Sequence, residues 1–174
     1  MAPQERMDLI EALEQSRREL HEAASDVPEA KAGAKPGDGR WSVLDCVEHV
    51  AIVEERFWGR LDAAPRLDSV TIDKRKEADL ASRVPDRTAR AEAPEAVRPT
   101  GRFASLAEAL EKFDSARART IEFARNRGGD VYWLSLEHPR FGPLNGGEYI
   151  VLVAGHSRRH AAQIREVKSA LGIA

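Results

Sequence analysis

The stretch Tyr149-Ile150-Val151-Leu152-Val153-Ala154-Gly155-His156-Ser157-Arg158-Arg159-His160-Ala161-Ala162-Gln163-Ile164-Arg165-Glu166-Val167-Lys168-Ser169-Ala170-Leu171 decides the fold. Within it Tyr149, Val153, His156, His160, Ile164, Val167 and Leu171 recur at steps of four and three, the repeat of a helix with one face turned to a core. A single amphipathic helix cannot bury such a stripe alone, so partners of the same kind are required.

Three upstream segments supply them. Residues 4–25 place Leu9, Leu13, Ser16, Leu20 and Ala23 on one helical face, and Asp26 and Pro28 end the pattern. Ser42 is a good N-cap, Asp45 lies near the positive end of the helix dipole, and Val43, Cys46, Val50, Val53, Phe57 and Leu61 form a wide apolar face, predicting a second helix over 43–61. A third starts near Ser105, with Leu106, Leu110, Phe113, Arg117, Thr120 and Ala124 on one face and Gly128-Gly129 as the stop.

The connections are read from their breakers. Gly33, Pro36, Gly37 and Gly39 make 31–40 a flexible link, and Pro65, Pro85, Pro94 and Pro99 punctuate a long, partly ordered crossover with room for a short helix at 73–81. Val131-Tyr132-Trp133-Leu134 has strand propensity, but no second strand pattern offers it a partner, so 130–147 is read as loop. The expectation is an all-α fold: a single domain over 1–174, an antiparallel four-helix bundle with a long crossover between helices two and three.

Composition narrows the function. Across 174 residues, 27 Lys and Arg oppose 29 Asp and Glu, for a formal charge of −2 and a pI near 6.2, which gives no electrostatic footprint for nucleic acid or an anionic membrane. The single cysteine, Cys46, excludes an intrachain disulfide framework and a zinc site built mainly of thiolates, and it fits a reducing compartment. The first residues lack the basic and apolar regions of a signal peptide, and no long apolar run is present, so a cytoplasmic location is expected.

His156 and His160 interrupt the final stripe one turn apart, where two imidazoles can share a metal ion. Two readings stand at this point: a metal pair, or two neutral buried histidines bonded to ordinary polar partners. The zincin motif needs a glutamate directly after its first histidine, and Ser157 stands there instead. A third ligand must come from His21, His49 or His138. His21 is near the end of helix one, where a histidine interacts with the negative helix end, and His138 precedes Pro139 in a loop, where it can support a site or touch substrate. His49, mid-helix at the edge of an apolar face, is the natural third ligand.

Other side chains have blander readings. Cys46, one turn before His49, reads as a small core residue, and Glu48, Glu54 and Glu148 as residues of solvated helix faces rather than bases. Gln163 is placed to support His160, Trp41 and Trp133 to pack the ends of the bundle, and Arg158-Arg159 to lie on a solvated face. No phosphate-binding glycine loop or nucleophile elbow occurs.

Two segments carry a resemblance. Gly39-Arg40-Trp41-Ser42-Val43-Leu44-Asp45-Cys46-Val47-Glu48-His49-Val50-Ala51 pairs a Trp-Ser opening with an apolar helix bearing a histidine. His138-Pro139-Arg140-Phe141-Gly142-Pro143-Leu144 is followed by His156-Ser157-Arg158-Arg159-His160-Ala161-Ala162-Gln163-Ile164, two histidines four apart before a Gln-Ile pair. In order and separation they resemble the DinB-like four-helix-bundle proteins, which are unrelated to the polymerase of that name; helices one and three match in pattern only. The resemblance implies a divalent metal ion, zinc or nickel, held by His49, His156 and His160, with water in the open positions. It also implies thiol-dependent transferase or isomerase activity, with a low-molecular-weight thiol as cosubstrate, or metal-dependent hydrolysis. Homodimers are common among such proteins.

Two functions follow. One is a metal-dependent transferase or hydrolase acting on a small molecule; the other is a non-catalytic binding protein whose metal ties helices together. Three histidines without a fourth protein ligand favour the enzyme, because structural zinc sites are normally closed by four.

Overall fold

Three long helices begin at a side chain that accepts a backbone N–H from its own first turn: Ser42 from Asp45, Ser105 from Glu108 and Asn145 from Glu148. Each removes one of the orphan donors that a helix start leaves, and Ser42–Asp45 and Asn145–Glu148 close the bond reciprocally as capping boxes. In the computed structural model, which describes residues 3–89 and 91–173, the helices are α1 (Pro3–Ala24), α2 (Glu29–Ala32), α3 (Val43–Asp62), α4 (Lys74–Arg83), α5 (Leu106–Arg127) and α6 (Gly146–Leu171). Strands β1 (Ser135–His138) and β2 (Gly142–Asn145) lie between α5 and α6.

The four long helices α1, α3, α5 and α6 form a four-helix bundle. α1 packs chiefly on α6 and α5, and α3 chiefly on α5 and α6, so the first two long helices face each other across the bundle's diagonal. The apolar faces read from the sequence are the buried ones: Leu9, Leu13, Leu20 and Ala23 of α1, and Val43, Cys46, Val50, Phe57 and Leu61 of α3, are each at most 4% exposed. They fill two apolar clusters, one around Leu13, Phe57, Tyr149 and Val153, the other around Leu20, Val47, Phe113 and Ile164. A layer of buried polar side chains, Ser16, Glu54, Arg117, Thr120 and Ser157, separates the two, with one member or more from every long helix. Among the described residues, no helix is long and apolar enough to cross a membrane.

The crossover contains the anticipated short helix, α4, capped by Asp73 and packed on α6. The link at 31–40 is preceded and partly occupied by the single turn α2, started by Pro28, whose fixed φ of −60° suits a position just ahead of a helix.

The segment 130–147 is not a loop. Gly128 takes a φ of 53° to end α5, and Gly128–Trp133 winds as a 3-10 helix that buries Val131 and Tyr132. β1 then pairs antiparallel with β2, Ser135 opposite Asn145 and His138 opposite Gly142. Strands of four residues are too short to display alternation, and the partner Gly142-Pro143-Leu144-Asn145 has almost no strand propensity. Backbone bonds from Leu67 to Trp133 and from Ser135 to Pro65 hold the hairpin to the chain leaving α3. Gly146 and Gly147 belong to the first turn of α6, because a Cβ there would stand 2.2 Å from the Val131 carbonyl oxygen and from the Tyr132 ring respectively.

Candidate metal centre

The Ser42 cap sets α3 in register so that His49 falls on its second turn, facing the crossover and α6. His49 and His160 are 4% and 6% exposed, while His156 is half-buried and forms the accessible side of the group. One ring nitrogen from each of the three histidines lies within 4.8 Å of the others, and no carboxylate or thiolate joins them among the described residues. The rings stand 4.6 to 5.0 Å apart, centroid to centroid.

The Nδ1–H of His49 donates to the Val97 carbonyl at 2.7 Å, and a carbonyl can only accept, so the neutral ring carries its lone pair on Nε2. That Nε2 lies 3.1 Å from Nε2 of His156. Two ligands of one ion with metal–nitrogen bonds of about 2.0–2.1 Å stand about 3.0–3.4 Å apart, so the separation suits a shared cation. Nδ1 of His156 and Nδ1 of His160 are buried with no hydrogen-bond partner among the described residues, whereas ordinary buried histidines are satisfied. Burial, the largest cause, pushes all three pKa values below the usual histidine range. For His156 and His160 the neighbouring imidazoles and the Arg159 guanidinium push further, and both fall well below it. Rings kept neutral at pH 7 keep their lone pairs, the form in which imidazole binds metal. The donor set therefore fits a divalent ion.

Several surrounding contacts are absent from the sequence reading. Trp41 does more than close the end of the bundle: its ring lies 4.9 Å from that of His49 and stacks on His160 at 6.0 Å and 19°. Glu48 is not on a solvated face. It is fully buried and accepts the backbone N–H groups of Thr100 at 2.6 Å and Arg102 at 3.1 Å, so consecutive residues of α3, Glu48 and His49, hold the crossover against the site. Glu54 and Glu148 are likewise buried, the first against Arg117 and the second where its carboxylate accepts the Asn145 N–H of the α6 capping box and pairs with Lys76 at 2.8 Å. The signal for Glu54 was Arg117 itself, a cation inside an apolar stripe that needed a buried counter-charge.

The remaining candidates lie outside the cluster. His138 ends β1 and its Nδ1 accepts from the backbone of Arg140 and Phe141. His21 reaches Asp114 at 2.8 Å, beside Arg17, rather than a helix end. Gln163 accepts from Arg87 at 3.2 Å. Cys46 is a core residue of the second apolar cluster, and burial pushes its thiol pKa far up. Arg158 pairs with Glu19 at 3.3 Å and Arg159 donates to backbone carbonyls of the crossover, so neither simply faces solvent.

The sequence model of the DinB superfamily matches residues 12–164. The chain is 21% identical over 154 residues to the uncharacterized protein YuaE of Bacillus subtilis (strain 168), covering 88% of this chain and 93% of that one. It is also similar in structure to YfiT from Bacillus subtilis, with a TM-score of 0.68 and 16% identity over 100% of this chain and 91% of the other. YfiT is described as a probable metal-dependent hydrolase with an unusual four-helix bundle topology.

Proposed function

The chain belongs to the DinB superfamily, and from that premise we propose that it is a metal-dependent enzyme, a hydrolase of a small-molecule substrate, whose ion is held by His49, His156 and His160. The observation that carries this reading is the convergence of three neutral imidazoles with no fourth protein ligand among the described residues, since a structural site closes its shell and a catalytic one leaves a position open. The description of YfiT supports the hydrolase reading; a low-molecular-weight thiol taking the place of water would make the same site a transferase. When bound, a zinc or nickel ion on neutral ligands supplies the positive charge that acidifies a water or thiol toward neutral pH.

The protein's own part is positioning. Val97 fixes the tautomer of His49, and Trp41 backs the His49 and His160 rings, limiting their rotation. Glu48 clamps Thr100 and Arg102, which keeps the Val97 carbonyl in place. The half-buried His156 leaves the approach to the site on its side.

Metal analysis of the purified protein, followed by ester, amide and thiol-transfer assays with and without chelator, tests the proposal. Stoichiometric metal and turnover lost together in His160→Ala are expected. Turnover that persists in a metal-free His160→Ala protein rules the mechanism out.

A further inference from the structure

Arg159 brings a full positive charge to the histidine cluster without a paired carboxylate among the described residues. It follows His156 by one turn of α6 and directly precedes His160. Its terminal nitrogens donate to the backbone carbonyls of Asp86 and of Ala89, the latter at 2.9 Å. Carbonyls orient a guanidinium but leave its charge in place.

The nearby acids are committed elsewhere. Glu166 takes both arms of Arg87 at 2.7 Å each, and Asp86 turns its carboxylate back onto Thr88, whose N–H and hydroxyl each donate at 2.9 Å. Arg140, exposed in the turn between β1 and β2, is a second guanidinium with no acidic partner among the described residues; its guanidinium lies over the Phe141 ring. These charges are close enough to act on one another. After burial, Arg87 and Arg140 are the main causes that lower the Arg159 pKa, outweighing Asp86 and Glu166, and Arg159 in turn acts on His156 and His160. No histidine brings negative charge, so a divalent ion would make the region more cationic still.

We propose that the substrate of this site is an oxyanion-bearing small molecule, whose carboxylate or phosphate is received by the Arg159 guanidinium beside His156, with Arg140 adding to the attraction. The proposal rests on the metal reading above and names the class of substrate it acts on. An arginine already oriented by two carbonyls loses little freedom on meeting an anion, and three of its five N–H donors remain for a carboxylate or phosphate oxygen. A neutral substrate would leave two guanidiniums and the ion without a counter-charge.

Zinc-loaded protein titrated calorimetrically with three probes tests this: acetohydroxamate, its carboxylate-tailed homologue succinate monohydroxamate, and a phosphonate-tailed hydroxamate. All three share the metal-binding head, and only the tail charge differs. At least one charged probe is expected to bind about tenfold tighter than the neutral one, an advantage that shrinks as salt rises, and the better tail tells carboxylate from phosphate. In Arg159→Gln the ratio of charged to neutral affinity should fall toward one. Arg140→Gln, in an exposed turn and away from the crossover anchor, should lower the ratio by a smaller factor with the fold intact. Equal affinities in the wild type, or a ratio untouched by both substitutions, overturns the proposal. Hydroxamates that all fail to bind fully loaded protein overturn the proposal while the metal reading stands, whereas protein that takes up no zinc removes the metal premise and the proposal with it.

Discussion

Arg117 of α5 and Glu54 of α3 form an ion pair whose side chains are 0% and 1% exposed, midway along the bundle. The guanidinium meets the carboxylate through two bonds of 2.8 and 3.0 Å, and its remaining reach is used on the Leu13 carbonyl, the Ser16 hydroxyl and the Ser157 hydroxyl at 2.7 to 2.8 Å. Thr120 donates to the same carboxylate at 3.0 Å. Every long helix contributes, and Ser157 sits between the two histidines of α6, so the layer that divides the apolar core also ties α6 to α3 at the level of the candidate site.

A pair this enclosed is costly to break and nearly neutral to replace. Glu54→Ala strands a buried guanidinium and is expected to lower the unfolding free energy by about 3–5 kcal/mol, read from urea denaturation. The double variant Glu54→Leu, Arg117→Met removes both charges together and should recover most of that loss. A single-variant cost under about 1 kcal/mol would place the pair in the class of solvated surface bridges.

Cys46 is closed to solvent, and burial, reinforced by Asp45, holds its thiol protonated. Since the thiolate is the reacting form, native protein at pH 8 should be inert to iodoacetamide over hours, with one equivalent taken up on denaturation, as counted by mass spectrometry. Cys46→Ala should leave metal content and turnover largely intact. Rapid alkylation of folded protein would show that the second apolar cluster opens.

Gly146 is required by a neighbour rather than by its own backbone conformation. A Cβ at this position would lie 2.2 Å from the Val131 oxygen, a backbone atom that cannot swing away, so Gly146→Ala should cost about 1–3 kcal/mol or more. Gly33, with a φ of −86° and nothing near an added Cβ, is the control: Gly33→Ala should stay within about 0.5 kcal/mol of wild type. Thermal melts of the two variants compare them directly, and equal melting temperatures would mean that the start of α6 shifts freely.

What the sequence disclosed and what it concealed divide along the range of the interactions. Helix faces are local, and the periodic residues of α1, α3, α5 and α6 were legible because 3.6-residue recurrence is written into consecutive positions. The histidine pair was legible for the same reason, and His49 through its place on an apolar face. The hairpin was not, because β1 and β2 are held by pairing and by the chain leaving α3, while Pro143 and Gly142 argue against a strand. The burial of Glu48 is hidden for a similar cause: its partners, Thr100 and Arg102, lie more than fifty positions away, in a crossover whose course no period announces. Trp41 likewise gains its position against His160 only through packing.

The last prediction joins the proposed ion to folding. His49 and His156 are separated by 107 positions, so an ion shared between them exists only in the folded chain. With free metal at about a hundred times its dissociation constant, the folded state gains about 2.7 kcal/mol, and for a chain of this size about 2–4 °C per kcal/mol gives a rise in melting temperature of about 5–10 °C. The apolar core is large enough that chelation should lower the melt without unfolding the protein. Acid works against the fold twice. All three rings have pKa values lowered from 6.5 in the folded state, so below that value the unfolded chain binds more protons and stability falls. This contribution is whole above about 6.5 and drains away as pH drops through it toward the lower folded values, with no return on the alkaline side. Protons also displace the ion from the same nitrogens. Paired melts with and without chelator should therefore differ at pH 7.5 and coincide at pH 5, with the metal-free protein itself melting lower at pH 5. Coincident melts at pH 7.5, with metal loss confirmed by elemental analysis, would show that no ion bridges α3 and α6.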